Sequence, residues 1–192
     1  KPLQNPYPPI SVPITGYNSN SARIAAKFGF SPFSHSITSL PVLKDNWETY
    51  SKSRNLLDLK ADRSDWKLAR TIFIADSDEE AKGKAKQNSI SKAYKYLASA
   101  IKKGPGLTIM KSDPNQPDSE ITEDYLLNEL VIAGSVETVI ERLQELTEFL
   151  GPFGTLVNMS FDWIYQNDKK AWIESMAIYQ NEVIPKLSSN LN

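Results

Sequence analysis

The spacing of apolar positions changes along the chain, and each change marks an element. Four prolines within residues 1–9 cannot donate to a sheet ladder, so the chain starts as an extended lead-in. Ile10 to Thr15 is β-branched and reads as a short strand limited by Pro13, and Gly16-Tyr17-Asn18 turns the chain. From Ser19 to Phe28 the residues Ile24, Ala25 and Phe28 share a helical face, and Gly29 stands where a left-handed C-terminal cap belongs. Phe30 to Ser34 is a second short extended piece. A helix of about Leu43 to Leu59 follows, with Trp47, Tyr50 and Leu57 among its larger apolar residues. Leu68 to Ala75 is apolar almost throughout and predicts a strand covered on both faces.

The second half repeats the alternation. Asp76 to Glu80 offers an N-cap and first-turn acids to a long helix reaching about Ile101. Glu123 to Ile132 reads as helix, Gly134-Ser135 breaks it, and Val136 to Leu150 resumes with Val139, Ile140, Leu143 and Leu146 inward. Gly151-Pro152 stops that helix, Thr155 to Phe161 is the fourth strand, and Asp168 to Leu187 closes the chain as a helix. Between the helices, Lys103 to Ile121 is rich in Pro, Gly and polar residues, and a loop of that length in a compact domain is expected to be a mobile lid. Strands alternating with helices predict an α/β fold with a parallel sheet. Four strands are too few for a (β/α)8 barrel of about 250 residues and suit half of one, the last four βα units in a single domain spanning 1–192.

Composition narrows the partners. With 22 basic and 23 acidic residues the net charge is −1, which leaves no surplus to neutralise a run of phosphates, so nucleic acid is not expected. The absence of cysteine removes disulfides, thiolate nucleophiles and zinc-thiolate sites and suits a reducing compartment, for which the cytoplasm is the expectation. No apolar run approaches the ~20 residues needed to span a bilayer, and the first ten residues lack a signal-peptide core. The chain opens on Lys rather than Met, which raises the expectation that residues preceding it have been lost.

Candidate chemistry collects at the ends of predicted strands. Gly16 to Ser21 joins a strand end to a helix start, where first-turn amides lack intrahelical acceptors and the helix dipole adds positive character. Gly16 admits a close approach, Asn18 or Ser19 can cap, and the Ser21 hydroxyl could reach an anion; an ordinary N-cap with no ligand is the competing reading. Gly134-Ser135-Val136-Glu137-Thr138 is a second such junction, with Ser135 as N-cap; a purely structural cap competes with a secondary phosphate contact. His35, the single histidine, ends the segment Pro32-Phe33-Ser34-His35 and could face a site as a proton or hydrogen-bond donor, or be structural. Alone it supplies neither a metal site nor a triad. Asp162-Trp163 could line a pocket or close the end of a barrel.

Three stretches together resemble the bacterial-luciferase-like flavin-dependent monooxygenases: PYPPISVPITGYNSNSARIAAKFGFSPFS, LVIAGSVETVIERLQELTEFLGPFGTLVNMSF and ESMAIYQNEVIPKL. They occur in family order from about Pro6 to Leu187, and correspond to the family's C-terminal half. The resemblance implies a β/α barrel that uses reduced flavin and O2 to oxygenate a small-molecule substrate. The flavin would be reduced FMN delivered by a separate flavin reductase, with a deazaflavin in some relatives. It further implies that the turn after the first strand contacts the flavin phosphate through Tyr17, Asn18 and Ser21. This sequence has Tyr17-Asn18 where many relatives carry Ser-Ser or Glu-Ser, and Val136 where Pro is common. Lys103 to Ile121 falls at the family's mobile active-site loop. The implied partners are the N-terminal half of the same barrel, the reductase and a second subunit in a homo- or heterodimer, and the chain alone would be inactive. A non-catalytic flavin- or anion-binding half-barrel stands as the alternative, while a hydrolytic barrel would need a carboxylate pair that the strand ends lack.

Overall fold

A computed structural model describes residues 3–104, 106–161 and 165–189. Its framework is a parallel sheet of five strands, β1 (Ser11–Ile14), β2 (Ser31–Ser34), β3 (Lys67–Ile74), β4 (Val131–Gly134) and β5 (Thr155–Asn158). All pairings are parallel: Ile14 pairs with Ser34, Ser34 with Leu68, and Leu68 with Leu156. The four strands expected from the sequence are thus neighbours in chain order, as connections through covering helices require.

Between them the chain forms α1 (Asn20–Phe28), α2 (Leu40–Asn55), α3 (Asp78–Gln87), α4 (Ser89–Lys102), α5 (Glu123–Leu130), α6 (Val136–Leu150), α7 (Gln166–Ile178) and α8 (Ile184–Ser189). The fifth strand, β4, corrects the expected helix over 123–132. That helix ends at Leu130, and the β-branched pair Val131-Ile132 enters the sheet fully or nearly buried, against Thr71 to Ile74. The alternation of backbone groups along β3 fixes where it lies. The carbonyl of Arg70 and the amides of Ile72 and Ile74 point to the β5 edge, accepting from Met159 N and donating to Asn158 Oδ1 and Ser175 Oγ respectively. The amide of Ala75 donates to Gly134 O and so faces the opposite edge. The strand β4 therefore continues the edge that β2 begins, and the side chains of Asn158 and Ser175 extend β5's edge where its backbone stops.

Other expected elements differ too, and the strand expected over Thr155 to Phe161 stops at Asn158. The long helix expected to Ile101 is two, because Asn88 adopts extended dihedrals (φ −91°, ψ −165°) and its Oδ1 accepts from Ile90 N at 2.8 Å, capping α4. The helix expected over 43–59 starts at Leu40 and stops at Asn55, leaving Leu56 exposed. The closing helix carries a π segment at Tyr179–Val183.

One face of the sheet is sealed. Ile14, Leu68 and Ile72 pack with Ala22, Ala25, Leu43, Val139 and Leu143 from α1, α2 and α6, and Trp47 stacks on buried Trp66 at 5.3 Å. Each large apolar side chain buried here is worth about 1.5–3 kcal/mol. The polar Ser34 is tolerated in that layer because its hydroxyl takes hydrogen bonds from Trp66 Nε1 (3.0 Å) and Asn46 Nδ2 (3.2 Å). A second core of Phe73, Ile90, Tyr94, Met110, Leu126, Leu130 and Trp172 lies beyond it. On the other face Ala69, Thr71 and Phe73 of β3 are buried, Phe73 within that second core, whereas Pro13 of β1 is exposed and Phe33 and Val157 are half-buried. Among the described residues no helix is long and apolar enough to cross a membrane.

Candidate active site at the strand ends

Parallel strands bring their C-terminal ends, and the loops that follow, to one side of the sheet. Because Ile14 pairs with Ser34, the turn beginning at Gly16 and the loop beginning at His35 are neighbours there, about 5 Å apart in the pairing direction. Asn18 holds the left-handed conformation (φ 48°) that lets the turn close. Arg23 ties it down, donating to the Asn18 carbonyl at 2.7 Å and to the Asn18 side chain. An alanine-sized side chain at Gly16 would meet nothing within 4 Å, so space stands open beside the turn.

The start of α1, like that of α2 after Ser39, differs from those of α3, α5 and α6. Ser77, Thr122 and Ser135 cap those helices with their own hydroxyls, and acids occupy each first turn. At α1, Ser19 makes no side-chain cap and the first turn holds no acid. Its leading amides and the half-buried Ser21 hydroxyl therefore keep the anion-binding capacity of a helix start. One donor expected there is committed elsewhere: the Asn18 amide gives its hydrogen to Asp45 Oδ2 at 2.6 Å. The Tyr17 hydroxyl is buried, and burial followed by the charge of Asp45 pushes its pKa above the ordinary tyrosine value.

The second junction is already supplied with an anion. Asp78 Oδ1 accepts from the Ser135 amide at 2.7 Å and Asp78 Oδ2 from the Thr138 hydroxyl at 2.8 Å, while Ser135 Oγ accepts from Thr138 N at 3.3 Å. These donated hydrogen bonds hold the Asp78 carboxyl below its usual range. Ser135 thus caps α6, while Gly16, Tyr17, Asn18, Ser21 and His35 follow the adjoining ends of β1 and β2. Gly134 has to stay small, since a Cβ there would lie 2.8–2.9 Å from Thr138 and Asp78.

His35 is half-buried directly after β2. Its Nδ1 accepts from the Ile37 amide at 3.3 Å, and burial pushes its pKa below the ordinary histidine value. The loop that carries it is held by a residue the sequence reading passed over. Arg70, 2% exposed in the middle of β3, donates through Nη1 to the carbonyls of Ser36 (3.3 Å) and Thr38 (2.9 Å), and the buried Tyr94 hydroxyl also reaches Ser36 O. No carboxylate meets this guanidinium among the described residues, and burial draws its pKa down to about 10, so it stays charged near neutrality. The available signal was an arginine in the middle of a largely apolar strand.

The stretch expected to be a lid divides. Leu107, Met110 and Lys111 are buried, Ile109 O accepts from Ser39 N at 2.9 Å, and Lys111 pairs with Asp118 at 2.8 Å. Residues 112–115 and 117–120 are exposed. Asp162 and Trp163 lie outside the described residues.

Comparisons with known proteins meet this geometry. No protein-family model matches the sequence. The chain is 30% identical over 181 residues to the 3,6-diketocamphane 1,6-monooxygenase of Pseudomonas putida, covering 94% of this chain and 47% of that protein. The structure of the oxygenating constituent of 3,6-diketocamphane monooxygenase from Pseudomonas putida, a type II Baeyer-Villiger monooxygenase in complex with FMN, superposes with a TM-score of 0.80 at 31% identity. It is covered over 49% of its length by 94% of this chain. The chain thus resembles half of a luciferase-like flavin monooxygenase. At the level of fold alone the EDTA monooxygenase from Chelativorans agrees, with a TM-score of 0.60 at 15% identity over 99% of this chain. The chain spans about half the length of the curated relatives it matches, 47% and 50% for two of them. The sheet is accordingly half of a TIM-type (β/α)8 barrel, and its sealed face, with α1, α2 and α6, is the barrel's outer side.

Proposed function

We propose that this chain supplies the flavin phosphate-binding part of a two-component monooxygenase that uses reduced FMN and O2 to oxygenate a small organic substrate. The observation that carries the reading is the start of α1: a helix N-terminus at the C-terminal end of a barrel strand, with neither a side-chain cap nor a first-turn acid, next to open space at Gly16. An FMN phosphate fits that donor set. The amides at residues 20–22 and the Ser21 hydroxyl would hold it, and Arg23, fixed on Asn18, adds positive charge nearby. The Asp45 carboxylate on the Asn18 amide would repel the phosphate from that side of the turn. FMN is preferred to a deazaflavin because the structural relative at 31% identity holds FMN.

When bound, reduced flavin supplies the electrons that activate O2. What this chain adds is position: α1 fixes the phosphate, and Arg70 and Tyr94 fix the loop bearing His35. The relatives named for diketocamphanes suggest a ketone as the substrate class. Completion of the active site falls to the other barrel half, for which the half-buried Phe33 and Val157, and the edges of β1 and β5 that are unpaired among the described residues, are suited. A reductase delivers the flavin, and a reducing cell interior is the place of work.

Titrating FMN into the chain, alone and with a polypeptide carrying the complementary half, tests the reading. Quenching of flavin fluorescence with saturable binding in the reconstituted barrel is the expected result. Binding in neither preparation would leave only the structural alternative.

A further inference from the structure

We propose that His35 is held as the neutral imidazole protonated on Nε2, and that this N–H is a fixed hydrogen-bond donor for a carbonyl oxygen of the bound ligand. The inference rests on the flavin-site reading above and extends it from the phosphate to the reacting end of the ligand. Three observations support it.

The first is the hydrogen bond from the Ile37 amide to Nδ1, 3.3 Å long. A nitrogen that accepts cannot carry a proton, so while this contact holds, a neutral ring has its hydrogen on Nε2, and a doubly protonated ring would set one N–H against another. The second is position. Ser34 faces the sealed outer layer, and strand alternation puts His35 with Ser31 and Phe33 on the barrel's inner side, one residue past the pairing that leads β1 into the phosphate turn. The third is rigidity. Thr38 donates to the His35 carbonyl through its hydroxyl at 2.7 Å and its amide at 3.3 Å, and Arg70 holds the next carbonyls, so the ring sits on a braced loop. Nε2 itself has no protein partner among the described residues. Burial, with no carboxylate against the ring to oppose it, further favours the neutral form.

A neutral donor suits a carbonyl oxygen better than an anion site suits it, since the ring brings a directed N–H without a charge. The carbonyl has two sources, the isoalloxazine ring of the flavin or a ketone substrate. The sequence holds a single histidine, so every imidazole signal in a long-range 1H–15N spectrum of the 15N-labelled protein belongs to His35. Near neutral pH, Nδ1 should resonate as an unprotonated nitrogen and Nε2 as a protonated one. The reverse tautomer, or a doubly protonated ring, overturns the proposal.

Ligands are then added to the reconstituted barrel, FMN first and cyclohexanone second. A downfield shift of the Nε2 proton on adding FMN assigns the carbonyl to the flavin, and a shift only on adding cyclohexanone assigns it to the substrate. The correct tautomer with no shift from either ligand makes His35 structural and overturns the donor role. Flavin fluorescence is followed in the same samples. A failure of FMN to bind defeats the flavin reading, and the cyclohexanone arm then decides the donor role by itself.

Discussion

Replacing Ser21 by alanine removes one hydroxyl donor from the start of α1 while leaving the leading amides and the helix in place. A hydrogen bond to a charged acceptor contributes about 1.5–3 kcal/mol before losses. Ser21 is half-buried, so the lower end applies, and about 1.4 kcal/mol corresponds to a tenfold weaker affinity for FMN. Ser21→Asp adds repulsion to that loss. Two unit charges about 4 Å apart cost about 1 kcal/mol in water and about 4 kcal/mol at the effective dielectric of a protein surface, so binding should fall at least about a further fivefold. Ser135→Ala is the control. It deletes a cap worth about 1 kcal/mol of stability, yet the anion at that helix start is Asp78, so FMN affinity should not change. Fluorescence titration of FMN into the reconstituted barrel reads all three. Unchanged affinity in Ser21→Asp, or a larger loss from Ser135→Ala than from Ser21→Ala, would refute the choice of helix.

Gly154→Ala should destabilise the fold by about 3 kcal/mol or more, because the new Cβ would lie 1.7 Å from the Ser64 carbonyl oxygen and the backbone would have to move; urea denaturation measures it. Asp78 has a depressed folded-state pKa, so its contribution is complete above the ordinary carboxylate value of 3.8 and is lost as pH falls through the lower folded value. Urea midpoints at neutral pH and near pH 3 should therefore fall more for the wild type than for Asp78→Asn, and equal falls would remove the Asp78 contribution. We propose that the mobile part of the expected lid is confined to its exposed residues, so limited proteolysis should cut within 112–120 before 107–111, where Leu107 and Met110 are buried. First cleavage at 107–111 would reverse that assignment.

Much of the fold was legible because local signals agreed with it. Ile10 to Thr15, Phe30 to Ser34 and Leu68 to Ala75 each sit within a residue of an observed strand, and Gly29, with φ 71°, ends α1 as its position implied. The failures have physical causes. The strand β4 follows α5 with no glycine, proline or polar break, so the run from Leu126 to Ala133 keeps a helical appearance, and only pairing with Thr71 to Ile74 makes the last residues a strand. Asn88 splits one helix into two by capping with its side chain, a role indistinguishable in sequence from that of a solvent-facing asparagine. The leucines at 56, 57 and 59 suggested a continuing helix but are exposed.

The candidate site was half legible for the same reason. Gly16 to Ser21 and His35 announce themselves by position at strand ends. That Asp45 claims the Asn18 amide, that Asp78 crosses from α3 to serve the start of α6, and that Arg70 braces the His35 loop all depend on contacts 27 or more residues apart. No local pattern encodes them.

The most direct test of the phosphate site is a crystal structure of this chain, complemented by the other barrel half, with FMN bound. The account predicts phosphate oxygens within hydrogen-bonding distance of Ser21 Oγ and of the amides at the start of α1, with Asp78 still holding the Ser135 amide. A phosphate seated at the Gly134–Ser135 junction, or on the Asp45 side of Asn18 with Ser21 facing solvent, would contradict it.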